Sequence, residues 1–205
     1  MARGWPASLA DGPVTLRPWR LRDAPAWTET RLRNEEWLAP WEGRPSSVPP
    51  APWADWHTSA AFTAMVRRHR RDAKAGRSLP FAVCHEGRLA GQLTVSGVVR
   101  GAFDGCALGY WVDGALAGRG IMPTALALVV DHCFGAAGLH RVEANIRPEN
   151  AASRRAVEKL GFREEGIRER LLFIDGAWRD HVCYALTKED VPGSLLRTWH
   201  ASRRD

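Results

Sequence analysis

Four short stretches of this 205-residue chain carry side chains that could do chemistry together. The first, Gly118-Arg119-Gly120, precedes a run with helical composition that opens near Pro123. A glycine turn entering a helix leaves first-turn amides unpaired and outward, where the helix dipole also favours negative charge. Such a loop suits a pyrophosphate: the glycines let the backbone approach closely, and Arg119 adds a charge-assisted contact. An ordinary tight turn is written the same way. In the second stretch, Arg141–Ile146, the alternation places Arg141, Glu143 and Asn145 on one strand face and Val142, Ala144 and Ile146 on the other. A carboxylate there can accept a proton, directly or through water, or simply pair with a neighbouring arginine. The third stretch sets Asn150 as a helix N-cap with Ser153 three residues on, where a hydroxyl can cap the helix or donate a proton to a departing group. Asp180-His181 is a reserve acid–base pair, although Asp180 could equally orient His181 or accept backbone N–H bonds.

Positioning these residues takes alternating strands and helices. A strand ends at Tyr110-Trp111-Val112, followed by the glycine loop, a helix, the strand Arg141–Ile146, and a short helix with Ala156, Val157 and Leu160 inward and Gly161 as its stop. Upstream, residues 1–13 read as a loose lead-in and Val14–Pro18 as an opening strand. Leu21 to about Arg33 has helical periodicity, with Ala24, Trp27 and Leu32 inward and Arg22, Glu29 and Arg31 outward. Trp37 and Trp41 then fall in a Pro- and Gly-bearing loop to Pro52. Its aromatics argue for a wall around a substrate, or a cap on the core, over a solvated tether. Trp53 to about Ala75 is a second helical region ending in the basic run Arg67-Arg68-His69-Arg70-Arg71. Pro80–His85 and Arg88–Val95 form a hairpin around Glu86-Gly87. Two last strands, to Phe173 and from Trp178 to Leu186, meet at Asp175-Gly176, and residues 188–205 are polar, a short helix or a frayed end. One domain is expected over 14–187, because a core of this size needs no division.

These motifs, in this order, resemble a known family. Leu116-Ala-Gly-Arg-Gly-Ile-Met122, Asn150-x-x-Ser153 and Glu158-Lys-Leu-Gly-Phe162 are similar to the acetyl-CoA-binding core of the GNAT superfamily of N-acetyltransferases. Asn34-Glu-Glu-Trp-Leu-Ala-Pro-Trp41 and Asp175-Gly-Ala-Trp-Arg-Asp-His181 resemble the branch containing ribosomal-protein-alanine N-acetyltransferases. The resemblance runs from about Val14 to Leu186. It implies an α/β (α+β) fold: a mixed sheet of six to seven strands flanked by about four helices and splayed between the fourth and fifth strands. The donor's pantetheine arm would enter the splay, and amides near Trp111 and Val112 would polarise its thioester carbonyl. Its phosphates would meet Ala117, Gly118, Arg119, Gly120, Ile121 and Met122, with Asn150 and Ser153 close by.

Two departures narrow that expectation. Ala117 stands where the family usually has Gln or Arg, and Met122 where it usually has Gly or Ala, so phosphate recognition shifts to backbone and Arg119. Val157 occupies the position of a tyrosine acid present in many members, while Ser153 matches the serine thought to replace it in the ribosomal branch. The implied reaction is direct acetyl transfer from acetyl-CoA to an amine, with Ser153 as proton donor, Glu143 supported by Asn145 as candidate base, and no metal. The acceptor would be a protein N-terminal α-amine or a small amine, lined by Trp37, Trp41, Asp180 and His181. A catalytically weak acyl-CoA-binding regulator is the reading from another class.

Composition adds the rest. The formal charge of +6, almost all from arginine, suits a polyanion such as coenzyme A or an RNA-rich ribosome, or simple solvation. Cys84, Cys106, Cys133 and Cys183 are widely spaced and read as reduced core thiols, neither a disulfide framework nor a zinc site. Nothing resembles a signal peptide or a membrane span, so a cytoplasmic monomer or homodimer is expected.

Overall fold

The computed structural model describes residues 3–203. Eight strands occur along it: β1 (Leu9–Asp11), β2 (Val14–Pro18), β3 (Leu79–His85), β4 (Arg88–Val99), β5 (Gly105–Val112), β6 (Arg141–Ile146), β7 (Arg163–Ile174) and β8 (Ala177–Thr187). Between them lie α1 (Ala24–Arg33), α2 (Glu35–Leu38), α3 (Trp53–Trp56), α4 (Ser59–Lys74), α5 (Ile121–Phe134) and α6 (Ala151–Glu158), and α7 (Leu195–Ala201) follows the last strand. The strands make one sheet in the order β1-β2-β3-β4-β5-β6-β8-β7.

Every neighbouring pair is antiparallel except β5 and β6, which run parallel and bond only over Gly105–Ala107 and Arg141–Glu143. Beyond Ala107 and Glu143 the two strands part. The central sheet is therefore open on one side of Leu108–Val112, where the resemblance implied a splay. Asp104, at φ 43°, helps set the entry to β5: its carbonyl accepts from His140 N–H at 2.7 Å, tying the start of β6 beside it.

Each face of the sheet carries its own core. On one face β-sheet side chains such as Leu16, Phe81, Val83, Leu93 and Val142 pack with the almost wholly apolar α5 and with Val157 and Leu160 of α6 and its end. On the other, Trp19, Trp27, Phe62, Val66 and Ala82 form a smaller cluster under α1 and α4. α4 is amphipathic: Phe62 and Val66 point inward, and Thr58 caps it through Ala61 N–H at 3.1 Å.

Several expectations need correction. Residues 9–11 are a paired strand, so the stretch before Val14 belongs to the sheet, and Trp5 packs edge-on to Phe81 at 5.0 Å. Three residues are too few for alternation to register. The sheet accordingly has eight strands, and there are seven helices among the described residues, because α2, α3 and α7 are single or double turns. Thr58 breaks the expected helix 53–75 into α3 and α4. Within α1 the inward residue is Arg31, 2% exposed, while Leu32 is 42% exposed. Arg31 lies four residues after Trp27, so helical spacing puts both on one face; the preference of leucine for the interior is overridden by what Arg31 finds there.

Candidate active site

Between β5 and α5 the chain must turn sharply while keeping its amides free. Asp113 caps a 3-10 turn over Gly114–Leu116 by accepting from Ala115 N–H at 3.2 Å. Gly118 and Gly120 then both take φ 78°, in the left-handed region that favours glycine. α5 begins at Ile121; Thr124 N–H closes on Gly120 O at 3.0 Å, so the N–H groups of Ile121 and Met122 stay outside the helix's own ladder. Ile121 and Met122 bury their side chains in the main core, which fixes those amides.

Over this loop opens a cleft of about 860 Å³. Arg119, Arg155, Lys159 and Arg203 line its outer part, and among the described residues none of them is ion-paired, in a chain where most other arginines are. Free amides at a positive helix end beside four cations that pair with no carboxylate among the described residues fit a polyphosphate ligand.

The cleft runs on into the splay. Asp113 N–H donates to Ala90 O at 2.8 Å, so by antiparallel alternation residues 113, 111 and 109 turn their backbone groups to β4, and 112, 110 and 108 turn theirs to the gap. Of Trp111 and Val112, it is therefore Val112 whose N–H faces the opening. Its carbonyl is taken by Trp37 Nε1–H at 3.0 Å. Across the gap, Asn150 Oδ1 accepts from Ser153 N–H at 3.1 Å and caps α6. With that work done by Asn150, the Ser153 hydroxyl is engaged elsewhere: its Oγ lies 2.7 Å from the Tyr110 hydroxyl, which also reaches Ser153 O at 3.3 Å. Burial pushes the Tyr110 phenol above its ordinary value, keeping it neutral, with the hydrogen bond between it and Ser153 opposing that shift. Val157 is fully buried in the core.

Residues 31–42 wall the far end. The Arg31 guanidinium lies 4.7 Å from the Trp53 ring centre, 5.1 Å from Trp111 and 6.0 Å from Trp27, and pairs with Glu42 at 2.7 Å. His57 Nε2 sits 2.9 Å from Arg31 Nη2. Burial first, and Arg31 second, lower the His57 pKa to about 4, so it is neutral and able to accept from the guanidinium. The segment is latched to the loop: Asn34 Nδ2 donates to Asp113 Oδ1 at 2.9 Å and Asn34 Oδ1 accepts from Gly114 N–H at 2.8 Å. Burial works against the Asp113 charge, but hydrogen bonds from Arg33 and Asn34 hold its carboxyl below the usual range.

Every residue expected on the cofactor side lines this cleft: Trp111, Val112, Ala117, Gly118, Arg119, Gly120, Ile121, Met122, Asn150 and Ser153. Trp37 and Trp41 join them at the far end. Glu143, Asn145, Asp180 and His181 lie outside its lining. Glu143 is buried between two guanidinium groups, Arg141 at 2.8 Å and Arg168 at 2.9 Å. Asn145 keeps a buried, unpartnered Oδ1 on the same strand face. Asp180 accepts from Arg170 N–H at 2.8 Å at the surface, and His181, with a pKa lowered by burial, is turned to Arg179 O at 3.0 Å. Tyr110, Arg31, Glu42, Trp199 of α7 and Arg203 in the turn just after it were not among the expected site residues. The alternation of Leu108, Tyr110 and Val112 against Gly109 and Trp111 contained the signal for Tyr110.

Residues 14–163 match the family model described as acetyltransferase (GNAT) domain. The chain belongs to the GNAT acetyltransferase family. It is 34% identical to the ribosomal protein uS5-alanine N-acetyltransferase of Escherichia coli (strain K12) over 180 residues, 85% of each chain. It is also 42% identical to Probable N-acetyltransferase YjcK of Bacillus subtilis (strain 168) over 103 residues, half of this chain and 57% of that protein. Among solved structures, Mycobacterium smegmatis RimJ in complex with CoA-disulfide superposes with a TM-score of 0.93 at 41% identity, covering 100% of this chain and 98% of that one. This GNAT chain is an N-acetyltransferase with acetyl-CoA as donor. Among the described residues no cluster of three or more His, Cys, Asp or Glu could hold a metal ion, and no helix is long and apolar enough to cross a membrane.

Proposed function

We propose that the acceptor is the N-terminal α-amine of a protein, of the ribosomal-protein-alanine kind, acetylated in the cytosol. One observation carries the reading: a single continuous cleft leads from the cationic glycine loop, past Val112 and the Tyr110–Ser153 pair, to an end walled by Trp37 and Trp41. Trp37 is 40% exposed at that end, which leaves it open enough for a chain to enter. The similarity to the Escherichia coli enzyme over most of both chains supports the same class of acceptor. The exposed Arg67, Arg68, Arg70 and Arg71 of α4 would meet an RNA-rich acceptor assembly; His69, by contrast, is turned inward with its pKa lowered to about 4 by burial.

Acetyl-CoA supplies the acyl group as a thioester. In the proposed chemistry, the free edges of β5 and β6 hold its extended arm between Leu108–Val112 and Ala144–Ile146. Val112 N–H donates to the carbonyl oxygen and strengthens as charge develops there. Ser153 Oγ–H gives its proton to the departing sulfur while Tyr110, kept neutral, donates a hydrogen bond to Ser153 Oγ; the proton that the amine nitrogen loses on forming the amide passes to solvent, from which Ser153 is reprotonated. The carbon–sulfur bond breaks as the carbon–nitrogen bond forms, without a covalent enzyme intermediate.

Glu143, clamped by Arg141 and Arg168 away from the cleft, holds β6 to β7 in this scheme, and Asn145 shares that supporting face. An α-amine, with a pKa near 8, supplies its own neutral fraction, so the rate rises with pH as the ammonium loses its proton and needs no titrating carboxylate. Incubation with acetyl-CoA and a panel of N-terminal peptides, ribosomal proteins and small amines, following thiol release and mass gain together, tests the reading. Acetylated peptide N-termini are expected. Turnover only on small amines would replace the acceptor, and tight coenzyme binding without turnover on any amine would make the chain a binding protein.

A further inference from the structure

The C-terminal helix lies beyond the residues matched by the family, yet it forms one wall of the cleft through Trp199, Ser202 and Arg203. It is fastened there at three levels. Asp131 of α5 accepts from Ser194 Oγ–H at 2.7 Å, Leu195 N–H at 2.7 Å and Leu196 N–H at 3.2 Å, which fixes the start of α7. Trp199 is buried and its Nε1–H donates to Thr124 Oγ1 at 3.0 Å, fixing the middle to the first turns of α5. At the end, the Arg203 guanidinium stacks 5.5 Å from the Trp199 ring centre, and a Cβ placed on Gly120 would lie 3.4 Å from Arg203 Nη1. An arginine is thus delivered, on a braced helix, to the turn whose outward amides belong to Ile121 and Met122.

We infer that Arg203 is a ligand for the pyrophosphate of the coenzyme, so that α7 acts as a specificity element for the phosphorylated donor. A planar guanidinium reads phosphate oxygens in pairs, and Trp199 removes the rotamer freedom that a loose terminal arginine would have to lose on binding. Gly120 is required on this view for its φ of 78°, while a Cβ there would only touch Arg203 at ordinary contact distance. Arg155 and Lys159 stand on the α6 side of the cleft and would face the remaining phosphate. The inference rests on the reading of the cleft as the coenzyme site.

The test is calorimetric binding of CoA and dephospho-CoA to the full chain, with steady-state kinetics for acetyl-CoA. Arg203→Ala is expected to weaken both ligands equally, by about tenfold, and to raise the acetyl-CoA KM similarly with kcat nearly unchanged. Arg203→Lys should recover part of the loss, and 1 M salt should shrink the difference from wild type. Unchanged affinity in Arg203→Ala overturns the inference, as does a loss for CoA without a loss for dephospho-CoA, which would place Arg203 on the 3′-phosphate. Gly118→Asp, at a position with open space but a left-handed φ that aspartate reaches more readily than most other side chains and still at some cost, separates the two levels. If it binds CoA as wild type does, the cleft is not the coenzyme site; if it loses binding while Arg203→Ala keeps it, only the role of α7 fails. Unaltered thermal melting in each variant checks that the fold is intact.

Discussion

The two ends of the cleft are built on different plans. On the proposed reading, the coenzyme end is made mainly from one stretch, Tyr110 to Lys159, joined by Trp199 and Arg203, and it presents backbone amides and cations without an ion-pair partner among the described residues. The acceptor end is assembled from residues far apart in the chain. Asn34 reaches Asp113 across 79 positions, and Arg31 is enclosed by Trp27, Trp53 and Trp111. At the first end the ligand completes the electrostatics; at the second the charges are already compensated, Arg31 by Glu42 and Asp113 by Arg33. A shared donor is therefore met by local geometry, and the acceptor by packed side chains that only tertiary structure brings together.

Substitutions should divide along the same line. Ser153→Ala, at the join, is expected to lower kcat by about 100-fold with little change in either KM, since proton donation to the leaving sulfur is lost; an unchanged rate when chemistry is limiting would remove it from the mechanism. Tyr110→Phe keeps the ring packing and deletes only the hydroxyl, with its contacts to Ser153 Oγ at 2.7 Å and Ser153 O at 3.3 Å. A fall of about tenfold in kcat is expected, and a change confined to the acetyl-CoA KM would make Tyr110 a binding residue. Trp37→Ala frees the Val112 carbonyl and opens the acceptor wall. The acceptor KM should rise about fivefold while that for acetyl-CoA stays put; equal effects on both would erase the distinction between the ends.

The smallest effect is on stability. His57 has a folded pKa of about 4, below its unfolded value, so the unfolded chain binds more protons between about pH 6.5 and 4 and the fold loses stability as pH falls through that window. At about pH 5.5 the loss should be roughly 1 kcal/mol. His57→Gln, measured by denaturant midpoint, should reduce this slope and leave the part contributed by the buried His69, and an unaltered slope would show that His57 is not held neutral against Arg31.

The same contrast explains what the sequence disclosed. Gly118 and Gly120 declare a loop because only a few residue types accept φ 78°, and Asn150 declares an N-cap because its partner is three residues away. Both signals are local. The polar face of β6 was legible from alternation, but the guanidinium of Arg168 that occupies Glu143 comes from β7, and no spacing announces it. Arg31 shows the limit most clearly: it was expected outward, because its charge argues for solvent unless Trp53, Trp111 and Glu42 are known to surround it, although its place four residues after Trp27 puts both on one helix face. Leu195, Leu196 and Trp199 hinted only at a short terminal helix or a frayed end, because the aspartate that fastens it, Asp131, lies 63 positions from Ser194.

The central claim is that this cleft transfers acetyl directly to a peptide α-amine. The most direct measurement is tandem mass spectrometry of a peptide that carries both an N-terminal alanine and an internal lysine, after incubation near neutral pH with the enzyme and acetyl-CoA. One acetyl group on the alanine nitrogen, matched in amount by released thiol, is the predicted result; acetyl on the lysine, or thiol release with the peptide unmodified, would contradict it.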